Sequence, residues 1–274
     1  MKYIDMQGTH VPALGFGTWQ LTGDSCVEAT KRAIDIGYRH IDTAQIYENE
    51  AEVGKAIAQS GIERDELFVT TKLWTTNFMA GHAETSLEES LEKLQMDYVD
   101  LLLIHWPNPD VPLSETLDAM KKLVERGKTR HIGVSNFPVA LMRDAVEKYG
   151  AAIACNQVEY HAQLSQAAVL EYARAHNIII TAYSPLGRGA LLKNPTLIEI
   201  GERHGKTAGQ VALRWLIDQE NVAAIPKASS EKNARANFDI FDFELTDADT
   251  KAINALGGDK RLINPSFAPK WDAA

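Results

Sequence analysis

The feature that most constrains the fold of this chain is an eightfold alternation of short apolar segments with longer amphipathic ones. Residues 101–104 are continuous Leu and Ile, a pattern typical of a strand buried on both faces. Residues 83–95 carry leucines three or four positions apart, with Glu and Lys opposite, and predict an amphipathic helix. The predicted strands are residues 13–17, 40–43, 67–72, 99–105, 131–135, 152–158, 178–184 and 222–226.

Eight strand–helix units predict an α/β fold, a (β/α)8 TIM barrel in a single domain over residues 1–274. Residues 1–6 and 10–14 flank Gly8 and predict an N-terminal β-hairpin that caps the bottom of the barrel. A doubly wound sheet uses the same alternation. However, the segment GFGTWQ at 15–20 lacks the third glycine of a dinucleotide-binding turn and the ribose-binding acid after it. We interpret its two glycines as allowing a tight turn where the chain leaves the first barrel strand.

Composition excludes several classes of function. The net charge is −9 and clustered Lys and Arg are missing, so we expect no nucleic-acid or anionic-membrane partner. The apolar runs are too short to cross a bilayer and the first residues lack a signal-peptide pattern, which predicts a cytoplasmic protein. Cys26 and Cys155 are expected to be free thiols, and the histidine spacing predicts no metal site. No apolar interface stripe is evident, so we expect a monomer.

Polar residues follow the carboxyl ends of several predicted strands, where barrels of this type carry their chemistry. Each one alone is more often structural, because such an Asp commonly caps a helix and such a His packs in the core. Together, Asp42, Tyr47, Lys72 and His105 form a candidate catalytic group. An ammonium and a carboxylate in one barrel mouth predict an Asp42–Lys72 ion pair. Its cation would lower the pKa of Tyr47 toward working pH and make Tyr47 a general acid.

Tryptophans near these residues suggest a substrate pocket. Trp19, Trp74 and Trp106 are the expected neighbours of His105, although simple core packing explains each of them equally well. In such a pocket a neutral His105 would donate a hydrogen bond to a carbonyl oxygen and orient it.

Four segments resemble the signatures of the aldo-keto reductase family. They are GYRHIDTAQIY at 37–47, LIHWP at 103–107, GVSNF at 133–137 and IPK at 225–227, in the family's order and spacing. The resemblance covers essentially the whole chain. The ending RLINPSFAPKWD at 261–272 is most similar to the bacterial 2,5-diketo-D-gluconate reductase B and methylglyoxal reductase branch. It implies NADPH-dependent reduction of aldehydes and ketones, such as methylglyoxal or sugar-derived ketoacids, to alcohols.

The resemblance also implies roles for individual residues. Tyr47 would be the proton donor, tuned by Lys72 and Asp42, and His105 would position the carbonyl. The implied cofactor-binding residues are Ser135, Asn136 and Gln157 at the carboxamide, Tyr183 on the nicotinamide ring, Ser184, Leu186 and Gly187 at the pyrophosphate, and Lys227, Ser229, Ser230 and Asn237 around the adenosine 2′-phosphate.

The chain departs from the family's pattern in this last region. Where the family has Ser, Arg and Glu, this sequence has Ala228, Asn233 and Ala236, so an Arg that could stack on adenine is missing from its usual place. Lys232 and Arg235 are the alternatives for that position. The NADPH assignment therefore depends mainly on Lys227 and the serines that follow it.

Two other classes of protein remain alternatives at this stage. Some barrels of this lineage are cofactor-binding sensor or regulatory subunits with little catalytic role, and fold alone does not establish catalysis. A phosphate-binding lyase or isomerase barrel would carry a Gly-rich loop late in the chain, for which GRG at 187–189 is a weak match.

Overall fold

The computed structural model describes residues 1–79 and 81–273, and within them a two-stranded antiparallel hairpin precedes eight parallel strands. Ala80 and Ala274, the last residue of the predicted domain, lie outside the described residues. The strands are β1 Tyr3–Met6, β2 Thr9–Pro12, β3 Phe16–Gly17, β4 His40–Asp42, β5 Phe68–Leu73, β6 Val99–Ile104, β7 Thr129–Ser135, β8 Ile153–Glu159, β9 Ile179–Tyr183 and β10 Val222–Ala224.

Helices separate the parallel strands. They are α1 Gly23–Ile36, α2 Glu50–Ala58, α3 His82–Leu94, α4 Leu113–Glu125, α5 Val139–Arg143, α6 Ala167–Ala175, α7 Pro195–His204, α8 Ala208–Asp218, α9 Glu231–Phe238 and α10 Asp247–Asn254. Short 3-10 turns span Gln45–Tyr47, Arg64–Glu66, Thr75–Asn77 and Gly187–Lys193, and α5 continues as a π-helix over Asp144–Lys148. Among the described residues no helix has the length and apolar character to span a membrane.

The parallel strands close into a barrel. Each strand from β3 to β10 pairs with its successor, and the segment just before β3 pairs with β10 through a Leu14–Ala224 bridge. Backbone hydrogen bonds on either side of this bridge run from Gly15 N to Ala224 O at 2.8 Å and from Ala224 N to Ala13 O at 2.8 Å. The predicted (β/α)8 TIM barrel is therefore confirmed.

Two glycines permit the close approach of the first and last strands at this seam. A Cβ on Gly15 would lie 2.9 Å from the Cγ2 of Ile225, directly after β10, and one on Gly17 would lie 2.7 Å from the carbonyl oxygen of Ile225. Both distances are shorter than a carbon atom can tolerate. The glycines of the GFGTWQ segment thus serve strand packing at the exit of β3.

The N-terminal hairpin covers the end of the barrel where the strands begin. It turns through Gln7 and Gly8, whose φ angles of 51° and 89° suit a tight two-residue turn. Pro12 O accepts from His40 Nδ1 at 3.2 Å, and Thr9 Oγ1 bonds His131 Nε2 at 2.8 Å. Both histidines lie near the start of their strands, so the predicted cap at the barrel bottom is confirmed.

The helices bury their apolar faces against the strands. In α3 the predicted stripe of Leu87, Leu91 and Leu94 is buried, and burial of each leucine contributes about 1.5–3 kcal/mol. Residues 101–104 of β6 are buried, as their continuous apolar sequence predicts, and Asp100 in the same strand is buried against Arg64 at 2.7 Å. Cys26 and Cys155 are buried free thiols in this core, as predicted. The core holds the strands rigidly and so fixes the side chains at their carboxyl ends.

Candidate active site

A buried ion pair joins two neighbouring strand ends. Asp42 ends β4 and Lys72 lies one residue before the end of β5, and both side chains are almost fully buried. Lys72 Nζ lies 2.6 Å from Asp42 Oδ1 and also donates to the Thr43 carbonyl at 2.7 Å. Burial lowers the pKa of Lys72, while the Asp42 carboxylate partly offsets that decrease. The predicted Asp42–Lys72 pair is present.

Tyr47 lies beside this pair, at the end of the 3-10 turn after β4. Its hydroxyl is 3.4 Å from Lys72 Nζ. Burial raises the pKa of Tyr47 well above its ordinary value, and the Asp42 carboxylate raises it further. The predicted lowering of the pKa of Tyr47 toward working pH is therefore wrong for this arrangement, because burial of the phenol, and after it the Asp42 charge, favour the protonated form. Tyr47 keeps its proton at neutral pH.

His105 follows β6 and faces Tyr47, with ring centroids 5.7 Å apart. Burial lowers the pKa of His105 well below its ordinary value, and the Lys72 charge lowers it further. The imidazole is therefore neutral, as predicted, and one of its nitrogens carries a proton. Within residues 1–79 and 81–273, its buried Nδ1 has no hydrogen-bond partner. A buried polar atom of this kind is costly unless a bound molecule completes it.

The three tryptophans surround the catalytic group at different depths. Trp19 is 45% exposed and packs on Tyr47 at 4.8 Å between centroids, whereas Trp74 packs on His105 at 5.3 Å. Trp106 is buried, and its aromatic contacts are with Phe267 and Trp271, at 5.5 Å and 6.1 Å. Trp19 and Trp74 thus line the mouth directly, and Trp106 supports residues that follow α10.

Phe267 and Trp271 belong to the site region, and sequence reasoning did not find them. Phe267 also reaches Trp74, with centroids 6.2 Å apart, and 49% of its surface stays exposed. Both lie in a segment without helical or strand periodicity, so no pattern indicates where their rings pack. Their clustering in a helix-poor tail is the one signal available.

A second polar cluster lies at the ends of β7, β8 and β9. Ser135 Oγ donates to the Gln157 carbonyl at 2.8 Å, and Tyr183 OH donates to Asn136 Oδ1 at 2.8 Å. Gln157 Nε2 donates to Asp42 Oδ2 at 2.7 Å and so links this cluster to the ion pair. The four residues predicted to contact the nicotinamide therefore lie together, at the same end of the barrel as the catalytic group.

This cluster suits the amide group of a nicotinamide. The Gln157 side chain is anchored through its nitrogen, so its amide oxygen remains able to accept from an N–H. Asn136 Nδ2 donates to the His105 carbonyl at 3.0 Å and to Ser135 Oγ at 3.1 Å, and the Ser135 hydroxyl proton is donated to the Gln157 carbonyl. The cluster therefore offers the Gln157 amide oxygen as an acceptor for the N–H of a nicotinamide amide, while its own donors hold the cluster together.

The predicted pyrophosphate residues form a tight turn after β9. Ser184 and Gly187 have φ angles of 48° and 56°, and Gly187 N donates to the Ser184 carbonyl at 2.8 Å. Leu186, between them, is partly buried. Such turns expose backbone N–H groups, which are suited to anions.

The predicted 2′-phosphate residues follow β10 at the same barrel end. Lys227, Ser229 and Ser230 are exposed, and Ser230 caps α9 by accepting from Asn233 N at 3.3 Å. Asn237 is buried in α9. A free ammonium beside a helix N-terminus favours a phosphate group.

The adenine-stacking position remains without its usual Arg. Arg235 is engaged with Glu231 at 2.8 Å on the exposed face of α9, while Lys232 is exposed. Among the described residues no group of three or more His, Cys, Asp or Glu side chains is arranged to hold a metal ion.

Comparisons with known proteins agree with this geometry. A model of the Aldo/keto reductase family matches residues 13–257. Methylglyoxal reductase DkgB of Escherichia coli O157:H7 is 43% identical over 266 residues, which cover 96% of this chain and 99% of that protein. Glyoxal reductase of Bacillus subtilis (strain 168) is 43% identical over 256 residues, covering 93% and 92% of the two chains.

Solved structures show the same architecture. A protein crystallised as a candidate 2,5-diketo-D-gluconic acid reductase B has a TM-score of 0.97 and 46% identity, covering 100% of this chain and 98% of that one. The aldose reductase from Schistosoma japonicum has a TM-score of 0.92 and 33% identity, covering 98% of both chains. The chain belongs to the aldo/keto reductase family and is an oxidoreductase that acts on carbonyl compounds.

Proposed function

We propose that this protein uses NADPH to reduce small aldehydes and ketones to alcohols, with Tyr47 as the proton donor. The observation that carries the proposal is the contact of a protonated Tyr47 hydroxyl with Lys72 Nζ at 3.4 Å, beside a neutral His105. When bound, NADPH supplies the hydride that the carbonyl carbon accepts. The carbonyl oxygen takes the proton of Tyr47, so the carbonyl becomes an alcohol and a tyrosinate is left.

The surrounding side chains suit this proton transfer. A hydrogen bond from Lys72 Nζ stabilises the tyrosinate more than the phenol, so the ammonium helps most as the proton leaves. Asp42 holds Lys72 in place through the 2.6 Å contact. A neutral His105 supplies an imidazole N–H to the carbonyl oxygen and orients it toward Tyr47.

The cofactor would lie across the polar cluster at the ends of β7 to β10. Ser135, Asn136 and Gln157 would hold the nicotinamide amide, and Tyr183 would pack on the ring. The turn with Ser184, Leu186 and Gly187 would meet the pyrophosphate, and Lys227, Ser229, Ser230 and Asn237 would surround the 2′-phosphate.

For the substrate we propose small dicarbonyls, with methylglyoxal as the first candidate. The pocket walls Trp19 and Trp74 are aromatic, and Lys72 is already neutralised by Asp42. A neutral dicarbonyl suits this lining better than an anionic sugar acid, which requires a free cation. The names of the methylglyoxal and glyoxal reductase relatives support the same choice. We further propose that the protein is cytoplasmic and monomeric; size-exclusion chromatography tests the oligomeric state, and cell fractionation tests the location.

Replacement of the proposed acid tests the mechanism. With Tyr47→Phe we expect turnover of methylglyoxal, followed by nicotinamide absorbance, to fall at least about a hundredfold, the usual scale for a positioned acid. NADPH affinity, measured by fluorescence titration, should stay near wild type. Tyr172→Phe is the matched control, because its hydroxyl bonds Glu147 at 3.1 Å on a part-exposed surface outside the site. Near-normal turnover of Tyr47→Phe contradicts the assignment.

Replacement of the proposed phosphate ligand tests the cofactor preference. With Lys227→Met we expect the ratio of kcat/KM for NADPH to that for NADH to fall at least about tenfold, the scale of one charge-assisted hydrogen bond. Lys148→Met, which removes an exposed ammonium from the π-helical segment, is the control. Equal efficiencies of the wild-type protein with both cofactors count against the NADPH assignment.

A further inference from the structure

The C-terminal tail, residues 259–273, follows α10 and crosses the barrel without helical structure. Its first part is anchored to the loop after β8. Asp259 bridges Leu164, and Lys260 N donates to the Gln163 carbonyl at 3.1 Å. The tail then turns toward the end of β8, where a buried carboxylate receives it.

Glu159, the last residue of β8, is that carboxylate, and its side chain is fully buried. Its Oε1 accepts from Leu262 N at 2.8 Å and from His161 Nε2 at 3.2 Å, while its Oε2 accepts from Ile263 N at 2.9 Å. Burial alone would raise the pKa of Glu159, but these hydrogen bonds lower it below its ordinary value. The carboxylate therefore stays ionised and uses both oxygens to hold two successive backbone N–H groups of the tail.

The far end of the tail is also fixed. Asp272 Oδ2 accepts from Val139 N, the first residue of α5, at 2.9 Å. Trp271 is covered by the Arg261 guanidinium, 3.7 Å from its ring centroid. Between these two anchors the tail carries Phe267, whose ring contacts Trp74 and Trp106. The position of Phe267 at the mouth thus depends on contacts that other residues of the tail make.

We infer that Glu159 is a positioning residue, which holds the tail so that Phe267 forms a wall for the substituent of the carbonyl substrate. The inference rests on the proposed function, since it concerns which substrates that site prefers. Phe267 keeps about half of its surface exposed beside Trp74, which itself packs on the candidate catalytic His105. A substrate with an aromatic substituent gains contact with this ring, whereas methylglyoxal carries only a methyl group.

The carboxylate is suited to this task because it has two equivalent acceptors. Glutamine at position 159 keeps the shape but replaces one acceptor oxygen with an amide nitrogen, which faces a backbone N–H. One of the two tail contacts is then lost and a buried donor is left unpaired. Glu159→Gln is therefore expected to release the tail near residues 262 and 263 without altering the catalytic group.

Limited proteolysis tests the anchoring independently of activity. Lys260 and Arg261 are tryptic sites beside the Glu159 contacts, and cleavage there requires local release of the tail. In Glu159→Gln we expect cleavage after these residues, measured by mass spectrometry, to accelerate at least about tenfold, the scale of a lost charge-assisted hydrogen bond. Unchanged cleavage overturns the anchoring role.

Substrate competition tests the specificity role. In Glu159→Gln we expect kcat/KM for phenylglyoxal relative to methylglyoxal to fall about tenfold, the scale of a lost pocket contact, chiefly through KM for phenylglyoxal. Phe267→Ala should lower the same ratio, and the double variant should lose little more, because both changes remove one wall. An unchanged ratio in Glu159→Gln overturns the inference.

Asp249→Asn is the matched control, since Asp249 is another buried carboxylate that caps α10, away from the tail. Asp249→Asn should lower stability and leave the ratio of kcat/KM for phenylglyoxal to that for methylglyoxal unchanged. A change in this ratio as large as that in Glu159→Gln overturns the inference.

If Glu159→Gln does not fold, Ile263→Pro removes the backbone donor of the Glu159–Ile263 hydrogen bond. It should give the same two results, faster tryptic cleavage and a lower substrate ratio. Failure of the wild-type protein to reduce either substrate refutes the proposed function, while the proteolysis result stands separately.

Discussion

Removal of the Asp42 carboxylate should lower the free energy of unfolding, because it leaves the buried Lys72 ammonium without an ionic partner. In Asp42→Asn the side chain keeps its shape, but one oxygen becomes an amide nitrogen. Asp42 now accepts from Lys72 Nζ at 2.6 Å and from Gln157 Nε2 at 2.7 Å, so the new nitrogen must face one of these donors. Lys72 retains the Thr43 carbonyl at 2.7 Å as an acceptor, but it has no ionic partner at 2.6 Å.

The magnitude follows from the burial of both side chains. Breaking a buried ion pair by removing one partner costs about 3–5 kcal/mol, which for a chain of this size lowers Tm by about 10 °C. Lys72 can avoid the cost by losing its proton, because burial already lowers its pKa and the opposing Asp42 charge is gone.

The pH dependence has a defined sign. Between the lowered folded pKa of Lys72 and its unfolded pKa of about 10.4, the unfolded chain binds more protons than the folded chain, so stability rises with pH. The slope approaches about 1.4 kcal/mol per pH unit in Asp42→Asn. It should be shallower in the wild type, in which Asp42 partly offsets the decrease in the pKa of Lys72.

Urea unfolding followed by tryptophan fluorescence between about pH 6 and about pH 9 measures this difference, with the slope set by proton linkage. The double variant Asp42→Asn with Lys72→Met should lose at least about 1 kcal/mol less free energy of unfolding than the two single variants lose together, because it removes the uncompensated charge. The reasoning is refuted if the free energy of unfolding of Asp42→Asn near neutral pH lies less than about 1 kcal/mol below that of the wild type. It is also refuted if this difference does not shrink as pH rises.

Two further predictions concern groups outside the site. Hydrogen bonds from His204, Arg203 and Thr246 outweigh burial and lower the pKa of Asp249, so its contribution to stability is present above the ordinary carboxyl pKa and is lost as pH falls. Asp249→Asn should lower the free energy of unfolding, measured with urea at neutral pH, by about 2 kcal/mol. A loss of the same size in acid contradicts this prediction. Burial raises the pKa of Cys26 to about 11 and that of Cys155 to about 12, so an aromatic disulfide reagent should label neither thiol until urea is added. Rapid labelling of the native protein would show that this burial is incomplete.

The barrel and its candidate residues were predictable because their signals are local. A continuous apolar run such as residues 101–104 is typical of a strand covered on both faces, and in a barrel the residues that follow such strands meet at one end. Asp42, Lys72 and His105 could therefore be grouped before any distance was known. The limits of the elements were less predictable, since residues 222–226 form a strand only over Val222–Ala224.

The protonation state of Tyr47 could not be predicted from the residue types alone. A lysine nearby suggests a lowered pKa, but the sign depends on burial and on whether the lysine is already paired. Burial of the Tyr47 phenol, together with the nearby Asp42 carboxylate, reverses the expectation. Charges act through distances, and those are properties of the folded chain.

The sequence by itself determined the barrel, the order of its strands and the identities of the polar residues at their ends, because periodicity and strand ends are visible in one dimension. Only the tertiary structure decided which distant residues complete the site. Glu159 meets Leu262 across 103 positions and Gln157 meets Asp42 across 115, and nothing in the spacing of either pair predicts the contact. Such pairs form because barrel closure brings the strand ends together, and the tail is then held by whichever buried acceptor lies beneath it.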